Sequence, residues 1–161
     1  MAAALLCAAV KKANKEEVLR LIEKYDLDLN KCMLKVGRYP ANILHYICTM
    51  DGYPLPSLHL LVELGVDIQR PSSTGMTPLY YACQKGKSMM MRYLISHGAD
   101  PIMTPPPGLG RLEEYATNEK CKDILRDHRI LRYLHMLMKK EPGWDRIPMD
   151  AGRIIASFIW Y

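Results

Sequence analysis

The amino-acid sequence predicts an all-α solenoid of about four similar units, each a turn followed by two antiparallel helices. Three observations lead there. Residues of like kind recur at an offset of 33, as in Gly65 to Gly98, Leu79 to Leu112 and Met91 to Ile124. Within a unit, apolar residues fall at i, i+3 and i+4 between glycine and proline stops, so each helix is short and apolar on one face only. The 161 residues are 49% hydrophobic and 24% charged, which suffices to bury a core and is too apolar for a disordered chain.

The stretch from Thr74 to Pro101 shows the unit most clearly. Gly75 supplies a positive φ in a turn, and Thr77-Pro78 opens a helix with proline in its first turn. Leu79, Ala82 and Cys83 form the inner face of that helix, and Gly86 ends it. Ser88 is expected to cap a second helix with Met91, Leu94 and Ile95 turned inward, closed by Gly98 at C′. Neither helix can bury its face alone, so the units must stack.

Thr77-Pro78-Leu79, Ala82-Cys83, Gly86 and Gly98-Ala99-Asp100 resemble the ankyrin repeat, whose signature runs G-x-T-P-L-H-x-A-A-x-x-G and ends in G-A-D. The resemblance implies an L-shaped stack with projecting β-turn fingers and a concave face that binds proteins. In the preceding unit, Asn42 to Cys48 places Leu44 under Leu79, Cys48 under Cys83 and His45 at the family's usual histidine position. Two extra residues there are visible as an insertion over 52–56. The first unit carries Val18, Leu21 and Ile22 on its second helix, with Tyr25-Asp26 where glycine is expected, and a longer finger from Lys31 to Pro40 follows it. The fourth keeps Leu112, Tyr115, Ala116 and Ile124 in register but lacks Thr-Pro and the terminal glycine. Units are thus expected at about 1–30, 37–70, 72–103 and 106–129, the outer two as caps, followed by a helical extension over 130–161.

The formal net charge of +5 is too small to imply nucleic acid as a partner. No apolar run reaches 18 residues, so no membrane span is expected, and the N-terminal MAAALLCAAV lacks the basic start of a signal peptide. Five cysteines at wide spacings, with no CxxC pair, fit free thiols in a reducing compartment, hence an intracellular protein of the cytoplasm or nucleus, including those of a host cell. Adjacent repeats in the resembled family lie about 10 Å apart, too far for a Cys48–Cys83 disulfide, whose Cα atoms must lie within ~7 Å. No phosphate loop, GxSxG or HExxH occurs, and the adjacent carboxylates of Glu113 and Glu114 would diverge on a helix. An enzyme is not expected, and neither a cofactor nor a metal is implied.

The resemblance assigns His45 a structural role, hydrogen-bonded to the neighbouring fingers. It places partner contacts at the finger tips and the exposed side of the first helix. Carried onto this sequence these are Arg38, Tyr39, Tyr46, Thr49 and Met50 in the second unit, and Ser73, Thr74, Met76, Tyr81, Gln84 and Lys85 in the third. Five of them, Tyr39, Tyr46, Met50, Met76 and Tyr81, would form an aromatic and methionine strip suited to a protein hot spot, unless they pack between neighbouring fingers.

The 33-residue pattern stops after Ile130. A helix over 130–140 precedes Glu141-Pro142-Gly143, and a last amphipathic stretch carries Ile154, Ile155, Phe158 and Ile159. Ile147-Pro148-Met149-Asp150 with the apolar helix after it, and Trp144 just upstream, resembles the start of an F-box. That pairing is typical of poxvirus ankyrin proteins with a truncated F-box-like (PRANC) segment. It implies docking of Trp144, Ile147, Pro148, Ile154, Ile155, Phe158 and Ile159 on a Skp1-type ligase adaptor. The alternative is that the same helices close the stack. The function expected is therefore non-catalytic protein binding, either as a substrate-recruiting ligase adaptor in a host–virus setting or as an inhibitor or scaffold that occludes a protein surface.

Overall fold

The computed structural model describes residues 2–31, 34–36, 39–101, 108 and 110–140. Helices α1 (Ala2–Lys11) and α2 (Lys15–Tyr25) form the first pair. A two-stranded hairpin, β1 (Leu34–Val36) and β2 (Tyr39–Ala41), leads into α3 (Ile43–Thr49) and α4 (Leu55–Glu63). The third pair is α5 (Pro78–Gln84) and α6 (Ser88–Ser96). A 3-10 turn over Leu112–Tyr115 then precedes α7 (Glu119–Lys140). The hairpin is antiparallel, with Leu34 opposite Ala41 and Val36 opposite Tyr39.

Three helices start on an asparagine. Asn14 Oδ1 accepts from the Glu17 amide at 3.0 Å, Asn42 Oδ1 from the amides of Leu44 and His45 at 3.0 and 3.1 Å, and Asn118 Oδ1 from Cys121 at 2.9 Å. Helices α4 and α5 start with proline in the first turn, where the missing N–H has no partner to lose. The expected cap of α6 is corrected by the structure. Lys87 occupies the N-cap position without a side-chain bond, and Ser88 is already helical.

The outer helices end alike. The amides of Leu27, Val66 and Ala99 reach back to the carbonyls of Ile22, Leu61 and Leu94 at 3.0, 3.1 and 2.9 Å. Each bond needs a left-handed residue just before it, supplied by Gly65 (φ 76°), Gly98 (φ 100°) and, in the first unit, Asp26 (φ 48°). Asp26 thus holds the glycine conformation with a side chain attached.

Stacking follows from the single apolar face of each helix. Helix α3 packs on α5 and α5 on the 3-10 turn, while α4 packs on α6 and α6 on α7. Leu6, Val10, Val18, Leu44, Ile47, Leu58, Leu61, Leu79, Met91 and Leu94 are almost wholly excluded from water. Each such side chain contributes about 1.5–3 kcal/mol. The fourth unit departs from expectation. Without Thr-Pro its first helix shrinks to the four-residue turn, still anchored by buried Leu112. Its second helix runs 22 residues without a break at 129/130, so the expected boundary between repeat and extension falls inside one continuous helix.

The inner helices share one further device: the next unit supplies side-chain donors to carbonyls in them or just past them. Tyr53 Oη donates to Cys7 O at 3.5 Å. The Lys87 ammonium donates to the carbonyls of Ile47, at 3.2 Å, and Met50. Thr117 Oγ1 donates to Cys83 O at 3.5 Å and Asn118 Nδ2 to Gly86 O at 3.0 Å.

Gly86 has φ 66°, and a Cβ there would lie 2.7 Å from Asn118 Nδ2 and 2.8 Å from Thr117 Oγ1. Gly86→Ala is therefore expected to destabilise by about 1–3 kcal/mol. Asp26→Gly, which relieves left-handed strain at an exposed site, is expected to stabilise by roughly 0.5–1 kcal/mol. Urea unfolding midpoints of the two variants should move in opposite directions.

Candidate functional site

The candidate site is the face made by the fingers and the exposed sides of α3 and α5. His45 organises it. Its Nδ1 lies 2.6 Å from Asn42 Oδ1 and its Nε2 lies 3.2 Å from the Met76 carbonyl in the next finger, with its ring edge-on to Tyr81 at 5.5 Å. A neutral imidazole carries one N–H, so only one of those oxygens receives a hydrogen bond at a time. Burial nevertheless holds the imidazole pKa down to about 4, against the upward pull of the Met76 and Arg70 carbonyls. Ser73 adds a second stitch, its amide donating to Pro40 O at 3.3 Å.

The structure sorts the predicted contact residues. Ser73, Gln84 and Lys85 are exposed. Thr74 and Met76 are half-buried in the finger, and Tyr46, Thr49 and Met50 are half-buried on α3 and just after it. Thr49 Oγ1 donates to His45 O at 2.9 Å, and Tyr46 meets Tyr53 edge-on at 5.9 Å. Tyr81 is a correction. It is only 5% exposed, wedged against His45 with its hydroxyl 3.3 Å from Ser72 Oγ and 3.4 Å from Thr74 Oγ1. It packs between finger and helix and offers a partner almost no surface. Tyr39 lies in β2 opposite Val36. Arg38 lies outside the described residues, as do Trp144, Ile147, Pro148, Ile154, Ile155, Phe158 and Ile159.

Burial pushes the thiols of Cys48 and Cys83 up to about 12, so neither is a thiolate nucleophile near neutral pH. Among the described residues no three His, Cys, Asp or Glu side chains are grouped to hold a metal ion, and no helix is long and apolar enough to cross a membrane.

A sequence profile described as Ankyrin repeats (3 copies) matches residues 5–104. The chain belongs to the ankyrin repeat family. Its curated relatives differ in what their names say. "Putative ankyrin repeat protein R96" of Acanthamoeba polyphaga mimivirus is 30% identical over 103 residues, covering 59% of this chain and 10% of that protein. Human "Protein phosphatase 1 regulatory subunit 27" is 44% identical over 86 residues, covering 46% of this chain and 56% of that protein. "Putative E3 ubiquitin-protein ligase XBAT34" of Arabidopsis thaliana is 27% identical over 130 residues, covering 78% and 33%. The chain thus spans between a tenth and just over half of these relatives' own lengths. The ankyrin frame gives protein–protein interaction as the chain's general capacity.

Sequence reasoning missed the donors that reach between units. Lys87 reads as a loop lysine, yet its ammonium is half-buried at the end of α3, and burial lowers its pKa. It also missed a three-ring stack on the outer helices, with His59 4.2 Å from Tyr93 and Tyr93 3.9 Å from His97. Only the partners one repeat apart in space would have revealed either.

Because the folded pKa of His45 is depressed, its contribution to stability is present above the unfolded value of about 6.5 and is lost as pH falls toward 4. The loss is expected to reach about 3 kcal/mol. Burial also lowers the pKa of His128, so the wild type carries a second slope of the same sign. Urea midpoints of His45→Gln and wild type between pH 7 and pH 4 isolate the part due to His45. The variant should lose most of the slope, and parallel curves would show that His45 does not titrate as described.

Proposed function

We propose that this chain is a non-catalytic binding module whose protein partner lies along the fingers and the exposed sides of α3 and α5. The observation that supports this most directly is the joining of two units into one face. His45 ties α3 to the third finger and Ser73 ties that finger to the second, so Ser73, Met76, Tyr46, Gln84 and Lys85 are held in fixed relation. A preorganised face loses little entropy on binding. In its plainest form the protein acts by occluding the surface it covers, and the name of the phosphatase regulatory subunit among its relatives agrees with regulation by binding.

A second reading makes the protein a recruiter for a ubiquitin ligase. The F-box-like Ile147-Pro148-Met149-Asp150 and the ligase name carried by the Arabidopsis relative favour it. In that reading the repeats hold a target, and Trp144, Ile147, Pro148, Ile154, Ile155, Phe158 and Ile159 engage a Skp1-type adaptor. The poxvirus-type tail and a setting inside an infected host cell belong to this reading.

Affinity capture from cell lysate, read by mass spectrometry, tests both. Gln84→Ala/Lys85→Ala changes two exposed side chains and should leave the fold within about 0.5 kcal/mol of wild type. The principal partner should be lost or reduced about tenfold. Undiminished capture would move the contact off this face. Ile147→Ala/Pro148→Ala should abolish Skp1 co-purification and spare the target. Capture of the target with no ligase component by the wild type leaves occlusion as the mechanism.

A further inference from the structure

A concave surface lies at the other end of the helices from the fingers. The loop between α3 and α4 and the loop between α5 and α6 sit side by side and leave a cleft of about 340 Å³. Tyr53, Leu55, Met89 and Met90 line it, together with Asp51 and Lys87. Met89 is 63% exposed, the most exposed large hydrophobic side chain among the described residues. The fold does not use it, because Met90, Met91, Leu94 and Ile95 carry the buried face of α6.

Two lysines, Lys11 and Lys87, stand at the cleft. Lys11 reaches across from α1. A Cβ on Gly52 would come within 3.2 Å of its Nζ, which stands 6.0 Å from the Tyr53 ring centroid. Lys87 is fixed in the cleft by its bonds to the Ile47 and Met50 carbonyls, and the Asp51 carboxylate acts on its charge. Asp51 is the only carboxylate among the lining residues. No side chain caps α6, so a carboxylate entering the cleft would meet the free end of that helix.

We propose that this cleft binds an acidic peptide through one apolar anchor residue seated between Tyr53, Leu55 and Met89, with carboxylates flanking it toward Lys11 and Lys87. The volume fits one or two side chains. A concave cleft does not suit a flat lipid surface, and its methionine and leucine walls give nothing to a phosphate backbone. Charge complementarity and the unused Met89 select the peptide. The surface is distinct from the finger face and stands whether or not that face binds as proposed.

The test is an NMR titration of the ¹⁵N-labelled full chain with acetyl-Glu-Glu-Leu-Phe-Glu-Glu-amide. Shifts should concentrate in residues 51–55 and 86–90, and affinity should fall with added salt. Met89→Glu and Lys11→Glu alter exposed side chains outside the finger face, and each should weaken binding about tenfold while other resonances stay in place. Equal binding of acetyl-Lys-Lys-Leu-Phe-Lys-Lys-amide, shifts at 39–41 and 72–76 instead, or no shift at millimolar peptide would overturn the proposal. Shifts at the cleft on raising protein concentration alone would overturn it in favour of a second copy. Capture by phosphatidylserine vesicles without peptide binding would overturn it in favour of lipid.

Discussion

The structure depends on the carbonyls that a short helix cannot satisfy for itself. A seven-residue helix such as α3 or α5 leaves more than half its carbonyls without an internal partner. In this chain the neighbouring unit supplies the Lys87 ammonium to the Ile47 carbonyl near the end of α3, and side-chain donors also reach Cys7, Met50, Cys83 and Gly86 from the unit that follows each. Stacking is thus demanded twice, once by the apolar face that each helix must bury and once by the polar ends that it must complete. Lys87 meets the second demand with a charge, which also opposes the negative end of the α3 dipole.

The same demand explains where binding surface is left over. Side chains that point along the stack are consumed by packing, as Tyr81 is by His45 of the preceding unit and by Ser72 and Thr74 of its own finger. Side chains that point across it stay free, as Ser73, Gln84, Lys85 and Met89 do. A chain built this way offers rigid surface at both ends of its helices. Its thiols are buried and lifted away from ionisation at Cys48 and Cys83, and the wholly buried His45 is spent on joining two units. That is a body suited to holding other proteins.

Much of this could be read in the sequence because the demands are local. Gly86, Gly98 and Thr77-Pro78 announce helix ends and starts through backbone geometry alone, and the structure uses them so. Leu79, Ala82 and Cys83 announce a buried face by spacing. What escaped depends on a neighbour that no local rule can name. Tyr81 looks like an exposed aromatic anchor, yet it is enclosed by His45 of the preceding unit and by Ser72 and Thr74 of its own finger. Ser88 looks like a better cap than Lys87, but the chain uses Lys87 to reach α3 and starts α6 on it. The first helix of the fourth unit shrinks to a 3-10 turn because Leu112 holds its place while the proline start is missing.

The most direct test of this coupling is hydrogen exchange on Lys87→Met, which keeps an apolar stem and removes the donor to the end of α3. Amides in α3, a full repeat away in sequence, should lose protection along with those near position 87, since the third unit completes the end of α3 through this side chain. Loss confined to residues near position 87, with α3 exchanging as in the wild type, would mean that the units stand independently and that no single face joins them.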